Sequence, residues 1–377
     1  MKIADLHCDT ISKLLKRKRQ GLPHDLREND CQVDLYKLQK GNYGLQCFAL
    51  FVNMGQVSDP WAEVIEELAL YESQLFVNSD ILAPVYDFED IAENASRGKI
   101  SALLTVEEGG VCGGSLEKLK TLYDRGVRII TLTWNYQNEL GYPANPAKLK
   151  NSAVAASGMH NAVNLNISRD IGVLDAMNTL KTADVSGNKS SDSETTYAQM
   201  VSIAGLTDKG FEFLEMMEEL HMIVDVSHLS DAGFYDVLRH AKRSFMATHS
   251  NARALTPHPR NLTDEMIRAL SEKGGVMGLN YCADFLHLSE CSLPDGEILD
   301  KLVTHALHII NVGGIQVLSL GSDFDGIPHS KDLRYANQME RLLGALQTAG
   351  IHAAAIDKIV WGNAMRVLEN LPRKSLR

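Results

Sequence analysis

The stretch KIADLHCD, residues 2–9, reads as an opening strand, yet it carries Asp5, His7 and Asp9 at alternate positions. Side chains two apart on a strand share a face, so His7 and Asp9 point the same way. A first strand buried in a parallel sheet normally carries Val and Ile on both faces. Here one face is either wet or holds something.

Seven more short apolar runs follow: GLQCFALFV (44–52), ISALLTVE (100–107), GVRIITLTW (126–134), MIVDVSH (222–228), SFMATHS (244–250), GVMGLNY (275–281) and VLSLGSD (317–323). Each is bounded by Gly, Ser or polar turn chemistry. Helical patterns lie between most of them. In DKGFEFLEMMEEL (208–220), Phe213, Met217 and Leu220 fall on one face with glutamates opposite. Eight strands separated by helices imply a parallel α/β sheet, and the number eight favours closure into a (β/α)8 TIM barrel. A doubly wound open sheet is the competitor, but no GxGxxG follows the first strand. Sites on such barrels form where the strands end. These ends carry His7 with Asp9, Glu107, Trp134, His228, His249, Tyr281 and Asp323.

The 377 residues are read as a single barrel domain, 1–377, with one interruption. Residues 141–205 contain no convincing strand and include the low-complexity SGNKSSDSETT (186–196). This segment follows the fourth strand on the face where the site would lie, and is expected to be a lid or an insertion. A net charge of −11 argues against nucleic acid as a partner. No run of about 18 apolar residues is present, so no membrane span is expected. The N-terminus shows no charged region followed by an apolar core. The six cysteines have no CxxC pair or regular spacing. They are read as reduced thiols, and the expected location is cytoplasmic.

Most of the 13 histidines sit in helical or loop context. His7, His228 and His249 end strands, and His7 has a carboxylate two residues on. Histidine with carboxylate is a ligand set for zinc or a similar divalent ion. There are too many candidate positions for one catalytic zinc. Two ions bridged by a carboxylate, about 3.5–4 Å apart, would use them. No lysine ends a strand, so the bridge falls to a glutamate of TVEEGG (105–110): Glu107, with Glu108 as the alternative. Asp323 can move a proton between a metal-bound water and a leaving group, or it can cap the next turn. Arg260, in the loop after the sixth run, can grip a substrate carboxylate bidentately, unless it is a solvated surface residue. Trp134 and Tyr281 are taken as substrate contacts.

Together these residues resemble the membrane dipeptidase (renal dipeptidase) family of zinc peptidases, in its soluble bacterial form. The resemblance is carried by DLHCDT (5–10), DLYKLQKGNYGLQCFALFV (34–52), TVEEGG, GVRIITLTW, GLTDKGFEFLEMMEELHMIVDVSHLS (205–230), ATHSNARALTPHPRNLTDEM (247–266) and LSLGSDFDGI (318–327). It covers nearly all of the chain apart from 141–205. It implies that His7 and Asp9 hold one zinc, that His228 and His249 hold the other, and that a glutamate bridges. Ungapped counting from TLTW favours Glu107 as that bridge, and matching on EGG favours Glu108. The resemblance further implies that Arg260 holds the C-terminal carboxylate and that Asp323 lies near the amino group and the moving proton. A homodimer and dipeptide substrates, including those with a C-terminal D-residue, are also implied. Mammalian members have a histidine where this chain has Trp134, which offers one N–H and a large ring. His160 of the long segment is a candidate replacement.

The function expected is a binuclear zinc dipeptidase, with other divalent ions as possible occupants. One alternative is an amidohydrolase of the same fold acting on N-acyl amino acids or lactones. The other is a metal-binding protein without catalysis.

Overall fold

Each of the eight apolar runs contains a strand, and all of them pair in parallel. The computed structural model describes residues 1–144, 204–287 and 297–374. Its strands are β1 (Ile3–Asp5), β2 (Tyr43–Phe51), β3 (Leu82–Pro84), β4 (Ile100–Glu107), β5 (Val127–Thr131), β6 (Ile223–Asp225), β7 (Met246–Ala247), β8 (Val276–Leu279) and β9 (Leu318–Leu320). Pairing runs β1-β2-β4-β5-β6-β7-β8-β9 and returns to β1 through Asp5↔Leu320, which closes an eight-stranded barrel. The ninth strand, β3, was not expected. It pairs only with the first residues of β4, from Leu82↔Ile100 to Pro84↔Ala102, below the point where β5 takes over that edge at Leu104.

Alternation along the strands divides the core in two. Leu45, Leu103, Ile129, Ile223, Met246 and Val276, from six different strands, pack together with Val367 and Leu368 of the C-terminal helix Asn363–Leu368. Residues from six strands meet in one cluster only inside a barrel, and the C-terminal helix plugs its lower end. Their neighbours of opposite parity, such as Phe48, Leu104, Ile130 and Met277, belong to the larger layer beneath the outer helices. Helices start where a side-chain oxygen can satisfy the free N–H groups of the first turn. Ser115, Thr207, Ser230 and Thr263 each accept from the backbone three residues on.

Barrel closure brings backbones very close at one place. A Cβ on Gly278 would lie 2.0 Å, and on Gly321 1.8 Å, from Thr248 O, so neither position admits a side chain. Residues 145–203, most of the expected lid or insertion, lie outside the described residues, as do His160 and Cys291. The two ends of that segment meet in an antiparallel bridge, Gly141 with Leu206. Among the described residues, no helix is long and apolar enough to cross a membrane.

Candidate metal centre and active site

The inner parity that begins at Leu103 continues upward through Thr105 to Glu107, which places the Glu107 carboxylate at the barrel mouth. Glu107 Oε1 lies 2.9 Å from His228 Nε2 and 3.5 Å from His249 Nε2, while Oε2 lies 3.4 Å from His7 Nε2. Asp9 Oδ2 is 3.6 Å from the same His7 nitrogen. The glutamate thus stands between the two expected pairs. Glu108 turns the other way. Its carboxylate accepts from Gly110 N at 2.8 Å, Trp134 N at 3.0 Å and Asn138 Nδ2 at 2.5 Å, which ties the strand end to the next loop.

Neighbouring residues set the histidine tautomers. Thr248 Oγ1 donates its single proton to Asp225 Oδ2 at 2.6 Å, so at 2.9 Å from His249 Nδ1 it accepts. Asn135 Oδ1, an acceptor, lies 3.2 Å from His228 Nδ1. Both Nδ1 atoms are therefore donors, and both Nε2 atoms present lone pairs inward. The two Nε2 atoms are 3.1 Å apart. Two imidazole lone pairs and a carboxylate oxygen converge with no proton between them, an arrangement that fits a divalent cation. A second group, His7, Asp9 and Asp323, brings one ligand atom each within 4.8 Å of the others. His7 Nε2 and Asp9 Oδ1 are buried and have no hydrogen-bond partner among the described residues. With His7, Glu107 and His249 forming a further group of the same kind, the donor set fits divalent-cation binding around Glu107.

Electrostatics follow from that crowding. Burial holds the His228 imidazole down, to about 4, with the Arg260 charge adding to the effect. Burial also lowers His249, as does the neighbouring His7. His7 goes the other way: burial would lower it, but Glu107 and Asp9 lift it well above its ordinary value. Burial raises Asp9 to about 6 and Asp323 to about 8, and in both cases the Glu107 charge adds to the rise. Glu107 itself is drawn well below the usual carboxylate range, its burial outweighed by the three imidazoles.

Backbone strain concentrates here. Glu108, His228, Asp323 and Asp325 are non-glycine residues with φ between 61° and 94°. Such conformations persist where the surroundings over-determine them. Asp323 N donates to His7 O at 3.2 Å, and Asn280 Nδ2 donates to Asp323 Oδ2 at 3.0 Å.

A cavity of about 250 Å³ opens above the cluster, and Asp9, Glu107, Trp134, His228 and Asp323 all line it. Trp134 meets the ring of Phe51 edge-on at 4.8 Å and forms the aromatic wall. Arg260 is buried, which removes the reading of a solvated surface residue. Its Nη2 donates to His249 O at 3.2 Å, its guanidinium lies 5.4 Å from the Phe285 ring centre, and its Nε has no hydrogen-bond partner among the described residues. Tyr281 is not in the site. It is buried against Phe324, its hydroxyl meets Met339 Sδ at 3.8 Å, and it does not line the cavity. The inward residue is Asn280, which shares the parity of Val276. Asn280, Asn135, Thr248 and Asp225 went unrecognised in the sequence. The only signal was the alternation of Asp225 with Ser227 in MIVDVSH.

The family model for membrane dipeptidase, Peptidase family M19, matches residues 1–174 and 151–375. An uncharacterised dipeptidase of Schizosaccharomyces pombe is 29% identical over 345 residues, covering 87% of this chain and 70% of that one. An uncharacterised protein of Klebsiella pneumoniae is 40% identical over 167 residues, 44% of this chain and 61% of that protein, so the match spans less than two thirds of that relative. The crystal structure of dipeptidase AC, a metallopeptidase of the same family, superposes with a TM-score of 0.78 at 21% identity, covering 98% of each chain. A Rhodobacter sphaeroides metallopeptidase liganded with a phosphinate mimic of the dipeptide L-Ala-D-Ala superposes with a TM-score of 0.75 at 20% identity, covering 99% of each. With barrel, mouth and family model in agreement over nearly all of its length, this chain belongs to the membrane dipeptidase family of peptidases, M19.

Proposed function

We propose that the protein is a binuclear zinc dipeptidase, and the observation that carries this is Glu107 lying between three imidazoles with one oxygen toward each side. His7 and Asp9 would hold one ion, His228 and His249 the other, and Glu107 both. Bound there, zinc supplies Lewis acidity and a water acidic enough to give hydroxide near neutral pH. The chain's own residues supply the rest. Arg260, with its free Nε, anchors the substrate's C-terminal carboxylate by charge-assisted hydrogen bonds. That restricts cleavage to short peptides with an exposed end. Asp323, held by Asn280, takes the proton from the attacking water and delivers it to the departing amine. Trp134 and Phe51 exclude water from one wall. The L-Ala-D-Ala mimic in the Rhodobacter sphaeroides protein makes a C-terminal D-residue a natural substrate to test. The five described cysteines are all buried and free, which supports a reducing, cytoplasmic setting.

The test is hydrolysis of Gly-D-Ala, L-Ala-L-Ala and an N-acetyl amino acid after chelation and again after zinc is restored. Zinc-dependent cleavage of the dipeptides is expected. Cleavage of the acylated compound alone would keep the site and change the substrate. His228→Ala is expected to lose activity and one equivalent of zinc, and a fully active variant would overturn the assignment.

A further inference from the structure

The helix Thr10–Arg19 follows β1 directly and is rich in basic residues. Arg17 and Arg19 are neutralised: Arg17 pairs with Asp30 at 2.7 Å, and Arg19 with Glu63 at 2.7 Å and Glu66 at 2.6 Å. Lys13 and Lys16, three residues apart and so neighbours on the helix surface, line the cavity above the metal cluster. Both are exposed, and neither has a carboxylate within salt-bridge distance among the described residues. Lys16 Nζ lies 5.7 Å from the centre of the Phe51 ring, on the aromatic wall shared with Trp134.

The nearest acids are already committed. Asp325 accepts from Thr10 Oγ1 at 2.8 Å, Gln32 N at 2.8 Å and Val33 N at 3.3 Å. Asp9 belongs to the His7 group. Lys16 lies near enough to Asp9 and Glu67, and Lys13 to Asp325, for its charge to lower those carboxyls against the effect of burial, but neither lysine makes an ion pair among the described residues.

Topology sets this pair apart from Arg260. In the closed strand order, β1, whose following helix carries the lysines, stands three strands from β7, whose following loop carries Arg260. In an eight-stranded ring that sets the two on different sides of the mouth. With its C-terminal carboxylate on Arg260, a dipeptide would have its other end free to meet cavity-lining residues such as Lys13 and Lys16.

We infer that Lys13 and Lys16 form a second anion subsite on the cavity wall, apart from Arg260, and that the preferred dipeptides carry a carboxylate on the side chain of their N-terminal residue. The inference rests on the dipeptidase reading and deepens it.

The experiment compares kcat/KM for Glu-Ala, Gln-Ala and Lys-Ala, in the C-terminal configuration the zinc-loaded full chain cleaves, between the wild type and K13Q/K16Q. Wild type is expected to favour Glu-Ala over its neutral isostere by about fivefold, the worth of ion pairs at this exposure. The preference should vanish in the double variant and at about 0.5 M salt, which screens exposed charges, with Glu-Ala falling to the level of Gln-Ala. Equal rates for Glu-Ala and Gln-Ala in the wild type, or a double variant that slows both alike, would overturn the subsite. Absence of cleavage for all three would be a different failure, that of the dipeptidase reading, and would remove the inference with it.

Discussion

A methyl group at position 326 would sit 2.0 Å from Asp9 Oδ2 and 2.6 Å from Asp323 Oδ1. Gly326→Ala must therefore push both carboxylates aside, although it touches no strand. The expected loss is about a hundredfold in kcat/KM, the scale that small misplacements of reacting groups produce. The melting temperature and zinc content measured alongside should show a folded barrel with disturbed metal binding. Wild-type kinetics in this variant would mean that the two carboxylates need not hold these positions. Single residues were legible in the sequence where their type is costly elsewhere. His7 with Asp9, and His228 and His249, stood out because strand ends seldom stop on such groups without use. The choice between Glu107 and Glu108 was not legible, because parity tells which residues share a face and not which face is inside. The same gap produced the error at Tyr281: Asn280 is the inward residue, and only the packing of Val276 in the barrel interior reveals it. The burial of Arg260 was equally invisible, since a loop sequence does not say how deep its side chains lie.

Among the elements, the helix Pro60–Val77 carries an oddity, a fully buried Glu67 whose Oε2 has no hydrogen-bond partner among the described residues. Burial raises this carboxyl well above its ordinary value, and the charges of Glu63 and Asp9 act in the same direction. A carboxyl with a raised folded-state pKa holds its proton more tightly in the native state than in the unfolded chain. Its contribution to stability is thus present below the unfolded value and is lost as pH climbs toward the folded one. Glu67→Gln should melt close to wild type at about pH 4, near the ordinary glutamate value, and higher than wild type in alkaline buffer. Identical melting curves across that range would refute the argument. The strands themselves were legible as elements, because each of the eight runs has apolar residues bounded by turn chemistry. β3 was not: it has three residues, too few to display alternation, and it ends in Pro84, which argues against a strand.

For the molecule as a whole, closure is the vulnerable event. Gly278 and Gly321 let β8 and β9 approach Thr248 O. Gly321→Ala inserts a Cβ that cannot be accommodated without moving a strand. It is expected to lower the unfolding free energy by about 2–3 kcal/mol, as overpacking does, read from urea midpoints. An unchanged midpoint would show that the barrel has slack at that point. The eightfold count in the sequence made the closed architecture readable, but the contact that closes it depends on glycines with no signature of their own.

The ring ends where it begins. β1 is held on one side by β2 and on the other by β9, and His7 O accepts from Ser322 Oγ at 3.1 Å across 315 residues of chain. His7 and Asp323, far apart in sequence, are therefore neighbours only through the β1–β9 seam. A fragment that stops short of β9 lacks Asp323, the seam and the closed ring together. Loop closure over that span costs entropy that the assembled ring must offset. Completing the candidate site and closing the barrel are thus one requirement on the chain.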